Sequence, residues 1–343
     1  MLENLFTEKD VAEFRSWLEW ADRFVIISHM SPDGDAVGSS LALMHYLQSR
    51  DKTVSVVMPD GIPDFLKWLP GADSIISFKN KPDKAELLMF QADVICCLDF
   101  NAPNRVAAAA EALLGSKARK IMIDHHPGPS DFCNITLSRP EASSASELVF
   151  MFLCAFGEYR NMSLQTAECI YTGMMTDTGA FTYNSSQSQI FYIISQLIEK
   201  GIDKDEIYRR VYNNYSADRF RLMGYVLSEK MQVFPEWSAA LITLSQEEQD
   251  RYNFQKGDTE GFVNIPLQIS GIRFSVFMRE DREKGYIKIS LRSVGDVPSN
   301  QFAARHFNGG GHRNASGGEF HGTLKEAEQE FLEGMQNWEI IQK

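Results

Sequence analysis

Three apolar runs limit what this chain can fold into more than any other feature: Phe24-Val25-Ile26-Ile27-Ser28, Asp93-Val94-Ile95-Cys96-Cys97-Leu98 and Lys120-Ile121-Met122-Ile123. None alternates apolar with polar residues, so each reads as a short strand buried on both faces. Thr53 to Met58 and Ser74 to Phe78 are further strand candidates. Helical stretches stand between the runs, at Ala36 to Gln48, Asp83 to Gln91 and the Ala-rich Val106 to Leu114. Strands alternating with helices at this spacing predict an α/β fold on a parallel, doubly wound sheet. A helix from Thr7 to Ala21, N-capped by Thr7, precedes it.

The runs end in acids and imidazoles. The first leads into His29-Met30-Ser31-Pro32-Asp33-Gly34-Asp35, the second into Asp99, and the third into Asp124-His125-His126. In open α/β sheets, ligands gather at the carboxyl edge of the strands, where these residues would stand. A turn at Pro32 and Gly34 folds His29 back toward Asp33 and Asp35. Asp-Gly-Asp is also ordinary turn chemistry that caps a following helix, and that alternative stands beside the first. After a loop from Pro127 to Pro140, Ser143 to Phe156 and Ser163 to Met175 have helical periodicity. The second runs into Thr176-Asp177-Thr178-Gly179-Ala180-Phe181, where a Gly-bounded turn exposes one more carboxylate.

At 343 residues the chain exceeds the usual single core, so two domains are expected. The reading places a first domain at residues 1–186, a helical connector at 187–235 and a second domain at 236–343. The second has strands at Ala239 to Leu244, Arg273 to Arg279 and Tyr286 to Ser293, the last two forming a hairpin, and a closing helix at Thr323 to Trp338. Arg292 at a strand end can fork around a phosphate. Gly309, Gly310 and Gly311 let backbone approach an anion, with His312 and Ser316 adding donors. Tight turns use glycine runs as well.

Net charge of −12 and a pI near 5.1 argue against a basic face that grips long nucleic acid. The N-terminal stretch Met1 to Asp22 lacks the basic start of a signal peptide, and no apolar run reaches the about 20 residues that span a bilayer. Five cysteines without a C-x-x-C pair read as buried apolar fillers. These features predict a cytoplasmic protein with no membrane partner.

In order, H-M-S-P-D-G-D, the strand-end Asp99, D-H-H and T-D-T-G-A-F resemble the four motifs of the DHH phosphoesterase superfamily. The segment Gly309-Gly310-Gly311-His312-Arg313-Asn314-Ala315-Ser316-Gly317 resembles the signature of the associated DHHA1 domain. The resemblance implies two divalent ions, Mn²⁺ first and Mg²⁺ or Co²⁺ as alternatives. One would be held by His29, Asp33 and Asp99, the other by Asp35, Asp99, His125 and Asp177, with Asp99 bridging. Carboxylate and imidazole ligands without thiolate suit such ions, though ligand type leaves Zn²⁺ and Fe²⁺ open. Two ions roughly 3.5–4 Å apart lower the pKa of a bridging water and stabilise an in-line displacement at phosphorus. Asp124 would orient a ligand imidazole, and His126 would contact the phosphate or protonate the leaving oxygen.

A stand-alone DHH and DHHA1 pair resembles the bifunctional oligoribonucleases that also act on 3′-phosphoadenosine 5′-phosphate. In such proteins the second domain is a clamp for short substrates. The expected partners are therefore short RNA (nanoRNA) and small nucleotides, not long duplex nucleic acid, and a homodimer is compatible with the chain. Linear or cyclic di-adenylate is the alternative substrate. A catalytically silent nucleotide sensor is the alternative outside enzymes, although it predicts loss of a ligand and all six are present.

Overall fold

The computed structural model describes residues 6–213 and 215–338. Residues 1–5 of the N-terminal stretch and 339–343 lie outside them. The chain divides into two compact units, Met1–Asn214 and Tyr215–Lys343.

The first unit has strands β1 (Arg23–Ile27), β2 (Thr53–Met58), β3 (Ile76–Ser77), β4 (Val94–Leu98), β5 (Arg119–Asp124) and β6 (Ile135–Ser138). They form one parallel sheet in the order β3-β2-β1-β4-β5-β6. Its helices are α1 (Glu8–Trp20), α2 (Gly34–Gln48), α3 (Pro82–Gln91), α4 (Ala110–Gly115), α5 (Ala145–Ala155), α6 (Leu164–Asp177), α7 (Ser188–Glu199) and α8 (Lys204–Tyr212). Alternate residues of each central strand enter different cores, which explains the unbroken apolar runs. Phe24, Ile26, Cys96, Leu98, Ile121 and Ile123 pack on the side of α2, α5 and α6. Val25, Ile27, Ile95, Cys97 and Met122 pack on the side of α3 and α4. Adjacent Cys96 and Cys97 thus fill opposite layers as free, buried thiols. The doubly wound α/β fold expected from the runs is present, and Thr7 caps α1 by accepting from the Asp10 amide.

The strand order reverses between β1 and β4, so the connections that leave their carboxyl ends run to opposite sides and open a crevice, the usual ligand position of this topology. Some elements differ from the sequence reading. The loop expected at Pro127 to Pro140 contains β6, a four-residue edge strand too short to show a pattern. Helix α6 runs through Asp177 instead of stopping before it, because Thr176 and Thr178 hydroxyls return to carbonyls within the helix. The stretch 187–235, read as a connector, is divided. Helices α7 and α8 bury Ile190, Ile193, Leu197, Ile207 and Val211 in the first core, and the chain from Tyr215 onward belongs to the second unit.

The second unit has α9 (Ala217–Tyr225), β7 (Met231–Phe234), β8 (Ala239–Leu244), α10 (Gln246–Arg251), β9 (Phe274–Asp281), β10 (Tyr286–Ser293), α11 (Ser299–His306), β11 (Gly310–His312), β12 (Ala315–Phe320) and α12 (Leu324–Gln336). Its mixed sheet runs β11-β12-β10-β9-β8-β7, and only β8 and β9 pair in parallel. Among the described residues no helix is long and apolar enough to cross a membrane.

Helices α2 and α6 meet backbone to backbone. A Cβ on Gly38 would stand 2.6 Å from the Cys169 carbonyl oxygen and 2.9 Å from the Gly173 nitrogen, neither of which can move without shifting the helix. Gly38→Ala should therefore lower stability by about 1–3 kcal/mol, as overpacking does. Gly115→Ala, on an exposed helix end with open space around it, should stay within about 0.5 kcal/mol of wild type. Urea unfolding of the two variants distinguishes them, and equal losses would contradict the close packing.

Candidate metal centre

His29 is the second residue of the loop after β1, and the loop after β4 starts with Asp99. Asp124 ends β5, with His125 next in the chain. Asp33 and Asp35 flank the first residue of α2, and Asp177 is the last residue of α6. Five elements thus deliver their side chains to the crevice. Asp99 has φ of 61°, a left-handed conformation that Asp and Asn tolerate better than other residues with a side chain. Its amide donates to the Ile123 carbonyl, tying it to β5.

The Asp99 carboxylate is shared between two imidazoles. Its Oδ2 lies 3.3 Å from His29 Nε2 and its Oδ1 3.4 Å from His125 Nε2. Asp33 Oδ1 is 3.8 Å from the same His29 nitrogen. Asp177 Oδ2 and Asp35 Oδ2 are 3.5 and 3.9 Å from His125 Nε2. The donor atoms of His29, Asp33 and Asp99 lie within 4.8 Å of one another, as do those of Asp35, His125 and Asp177. The six residues read as ligands converge in these two groups, and Asp99, grouped with His29 and Asp33, also faces His125.

The backbone sets the tautomers. His29 Nδ1–H donates to the Met30 carbonyl at 2.9 Å, which turns Nε2 to the acids. His125 directs Nδ1 at the Ala142 carbonyl, 3.4 Å away. Asp33 serves both readings offered by its motif. Its Oδ1 caps α2 by accepting from the Asp35 and Ala36 amides, and the same oxygen faces His29.

Asp124 departs from its expected role. It accepts from His126 Nδ1–H at 2.8 Å and not from a ligand imidazole. His125 leaves β5 with its ring toward Asp99 and Asp177, so the next ring, two residues from Asp124, is the one in reach. Because a carboxylate can only accept, the His126 proton toward Asp124 sits on Nδ1 and leaves Nε2 for other work. His126 keeps 17% side-chain exposure, whereas Asp124 is fully buried.

Charge balance marks the cluster as one that needs cations. Burial, followed by the charges of Asp99 and Asp177, pushes Asp35 well above the usual carboxylate range. Burial also drives Asp177 up to about 7, a rise that the neighbouring His125 moderates. Burial acts against charge on the histidines, yet His29 is raised to about 9 by its hydrogen bond to Asp99 and by Asp33, and His125 is raised likewise. Burial would raise Asp99 too, but the two imidazoles hold it below the ordinary range. Protons on imidazole are thus the counter-charge available from the chain itself. Asp99 Oδ1 is buried and makes no hydrogen bond, an acceptor left open at the centre of the cluster. Four carboxylates, two imidazoles and no thiolate make a donor set that fits two hard divalent ions.

The second unit holds the other candidates. Arg292 on β10 pairs with Ala315 on β12, which pairs with His312 on β11. Residues directly opposite in a sheet share a face, so Arg292 and His312 stand on one face with only an alanine between them. The next row of that face is Ser290, Gly317 and Gly310. Gly309 and Gly311 are required by the hairpin itself, since a Cβ on either would meet β12 backbone. Ser316 is a correction. One residue from Ala315, it points to the opposite face, is buried, and donates its hydroxyl to Ser299 Oγ on α11, so it is not a donor for an anion.

Residues 23–174 match the DHH family, N-terminal domain, and residues 240–339 match the DHHA1 domain. Over 312 residues the chain is 30% identical to the bifunctional oligoribonuclease and PAP phosphatase NrnA of Thermus thermophilus, covering 90% of this chain and 88% of that one. The chain belongs to the DHH family of phosphoesterases. A probable NrnA of Streptococcus mutans is 29% identical to this DHH protein over 297 residues, covering 86% and 89% of the two chains. The crystal structure of an exopolyphosphatase-related protein from Bacteroides fragilis matches the whole of both chains with 54% identity and a TM-score of 0.97. The Mn²⁺ complex of RecJ from Thermus thermophilus shares the fold at 14% identity and a TM-score of 0.56, over 98% of this chain and 54% of that one.

Asp99→Asn keeps a residue suited to φ of 61° and should fold, with an unchanged melting temperature in chelator. It removes the carboxylate charge shared by both ligand sets. Mn²⁺ affinity, titrated calorimetrically, should fall by more than the about 10–100-fold typical of residues that only support a ligand. Retention of two tight Mn²⁺ ions would remove Asp99 from the centre.

Proposed function

We propose that this DHH protein is a divalent-metal-dependent phosphoesterase that hydrolyses short oligoribonucleotides and 3′-phosphoadenosine 5′-phosphate. The observation that carries the proposal is Asp99, one carboxylate facing two separate imidazole and acid sets at the switch point of the sheet. His29, Asp33 and Asp99 would hold one ion, and Asp35, Asp99, His125 and Asp177 the other. Bound there, a pair of Mn²⁺ ions supplies a water of lowered pKa and neutralises charge on the phosphoryl oxygens.

The remaining work falls to the chain's own residues. Asp124 holds the His126 ring by Nδ1, leaving Nε2 to carry a proton to the leaving oxygen. That oxygen is a ribose hydroxyl in both substrates, so one acid serves diester and monoester alike. Burial of Asp35 and Asp99 excludes water that would compete for the ligands. In the second unit, Arg292 and His312 flank a floor of small residues, Ala315, Gly317 and Gly310, able to receive a flat base or a phosphate. A module of this size grips a few nucleotides, and the net charge of −12 opposes longer strands.

The relatives named NrnA support nucleotide substrates. The cyclic-di-AMP phosphodiesterase GdpP of Geobacillus thermodenitrificans is 27% identical, with this chain covering 49% of its length, which supports di-adenylates as the second reading. The test is turnover of the 3′,5′-bisphosphate, linear di-adenylate, cyclic di-adenylate, inorganic polyphosphate and RNAs of increasing length, each with Mn²⁺ and with chelator. The expected result is Mn²⁺-dependent release of phosphate or mononucleotide from the bisphosphate and the shortest RNAs. Turnover confined to the cyclic dinucleotide or to polyphosphate would replace this reading, and no turnover of any substrate would favour a nucleotide sensor.

His126→Ala should keep both ions and slow turnover by about 10²–10⁴-fold, the range for a lost general acid. A parallel loss of metal content would make His126 a ligand. Arg292→Ala and His312→Ala should raise KM for a dinucleotide more than they lower kcat, while hydrolysis of a minimal activated phosphodiester changes little. Equal losses on both substrates would place the second unit in the chemistry itself.

A further inference from the structure

We infer that Glu147 is a positioning residue for the metal centre: it fastens the turn from Ala142 to Ser146, whose backbone holds His125 and Asp35 together. The inference rests on the two-ion reading above and adds a residue to which that reading gives no role.

Glu147 is the third residue of α5 and is 1% exposed. An acid at this position ordinarily reaches back to the amide of the N-cap residue at the protein surface. Glu248 does so with Ser245, and Glu326 with Thr323. Glu147 differs in two respects. It is buried, and it reaches one residue further back, past the N-cap Ser144. Its Oε2 accepts from the Ser143 amide at 2.8 Å and from the Ser143 hydroxyl at 2.7 Å. Its Oε1 accepts from Gln189 Nε2 on α7 at 3.0 Å. Burying a carboxylate is costly, and three donors with both oxygens engaged are what make it tolerable here. A helix cap alone does not require this, because Ser144 already caps α5 by accepting from the Glu147 amide.

The turn that Glu147 draws in serves both sides of the centre. Next to Ser143, the Ala142 carbonyl faces His125 Nδ1 and also takes Asn184 Nδ2, at 3.4 and 3.5 Å. Two residues further on, the Ala145 amide donates to Asp35 Oδ2 at 2.6 Å and the Ser146 amide to Asp35 Oδ1 at 2.8 Å. Adjacent amides gripping both oxygens fix the plane of that carboxylate as well as its position. Asp35 also has no room to drift, since even a Cβ on Gly173 would reach within 2.9 Å of its Oδ1. One five-residue turn therefore sets the angle of an imidazole and the plane of an acid assigned to the same ion. Glu147 and Gln189 anchor that turn to α7.

Three variants test this: Glu147→Ala, Glu147→Gln and Ser143→Gly. The first readout needs no metal. Amide exchange at Ala145 and Ser146 in chelator-treated protein should be faster in Glu147→Ala by roughly 10-fold or more, as local opening becomes easier. The second readout is Mn²⁺ titration. The ion held by Asp35, His125 and Asp177 should bind about 10–100-fold more weakly in Glu147→Ala, while the other keeps its affinity. Glu147→Gln retains an acceptor for the Ser143 amide and should recover most of both properties. Ser143→Gly keeps that amide, loses only the hydroxyl, and should fall between. Unchanged exchange at Ala145 and Ser146 in Glu147→Ala would overturn the inference, as would a fall in melting temperature with no selective loss of one ion. If wild type bound no pair of Mn²⁺ ions, the two-ion reading would fall, and exchange in the metal-free protein would still decide whether Glu147 braces the turn.

Discussion

Everything in the first unit depends on one buried carboxylate having to satisfy more than one neighbour. Asp99 stands where the sheet changes direction, with its backbone held at φ of 61° by the tie to Ile123. From there its two oxygens face two histidines that arrive on different strands. Removing such a group from water is unfavourable unless cations or protons stand close to it. The fold supplies protons through His29 and His125 and leaves one oxygen open. The other acids add to the same demand, so the centre is a concentration of negative charge at the edge of an otherwise apolar sheet.

The fold was legible because its central strands are buried on both sides. Phe24 to Ile27 and Val94 to Leu98 send alternate residues into two cores, and such strands cannot show polar alternation. The convergence of acids and histidines was legible because they stand at strand ends and turns, although Asp33 shows that such a residue can cap a helix as well. What escaped depended on facts that a linear pattern does not hold. Which of two adjacent imidazoles meets Asp124 is decided by the direction each ring takes on leaving β5. The face on which Ser316 lies is decided by the register of β12 against β10, and a shift of one residue reverses it. Ile135 to Ser138 form a strand because β5 offers an edge, not because four residues carry a signal. Ser143 to Glu147 read as an ordinary helix start, since a cap drawn in from one residue further back looks the same in sequence.

The two units keep different kinds of chemistry apart. The first gathers buried acids and imidazoles at the ends of its strands and helices. The second presents Arg292 and His312 over a floor of glycine and alanine. Each stands on its own sheet: a parallel one whose order reverses at the acids, and a mixed one on which small residues separate Arg292 from His312.

The contact between α2 and α6 reaches beyond packing. Asp35 stands in the first turn of one helix and Asp177 ends the other, and at Gly38 the first helix rests directly on the Cys169 and Gly173 backbone of the second. A side chain can change rotamer to let helices separate, but backbone resting on backbone has no such freedom. The gap between the two acids therefore behaves as a fixed calliper and not as a spring.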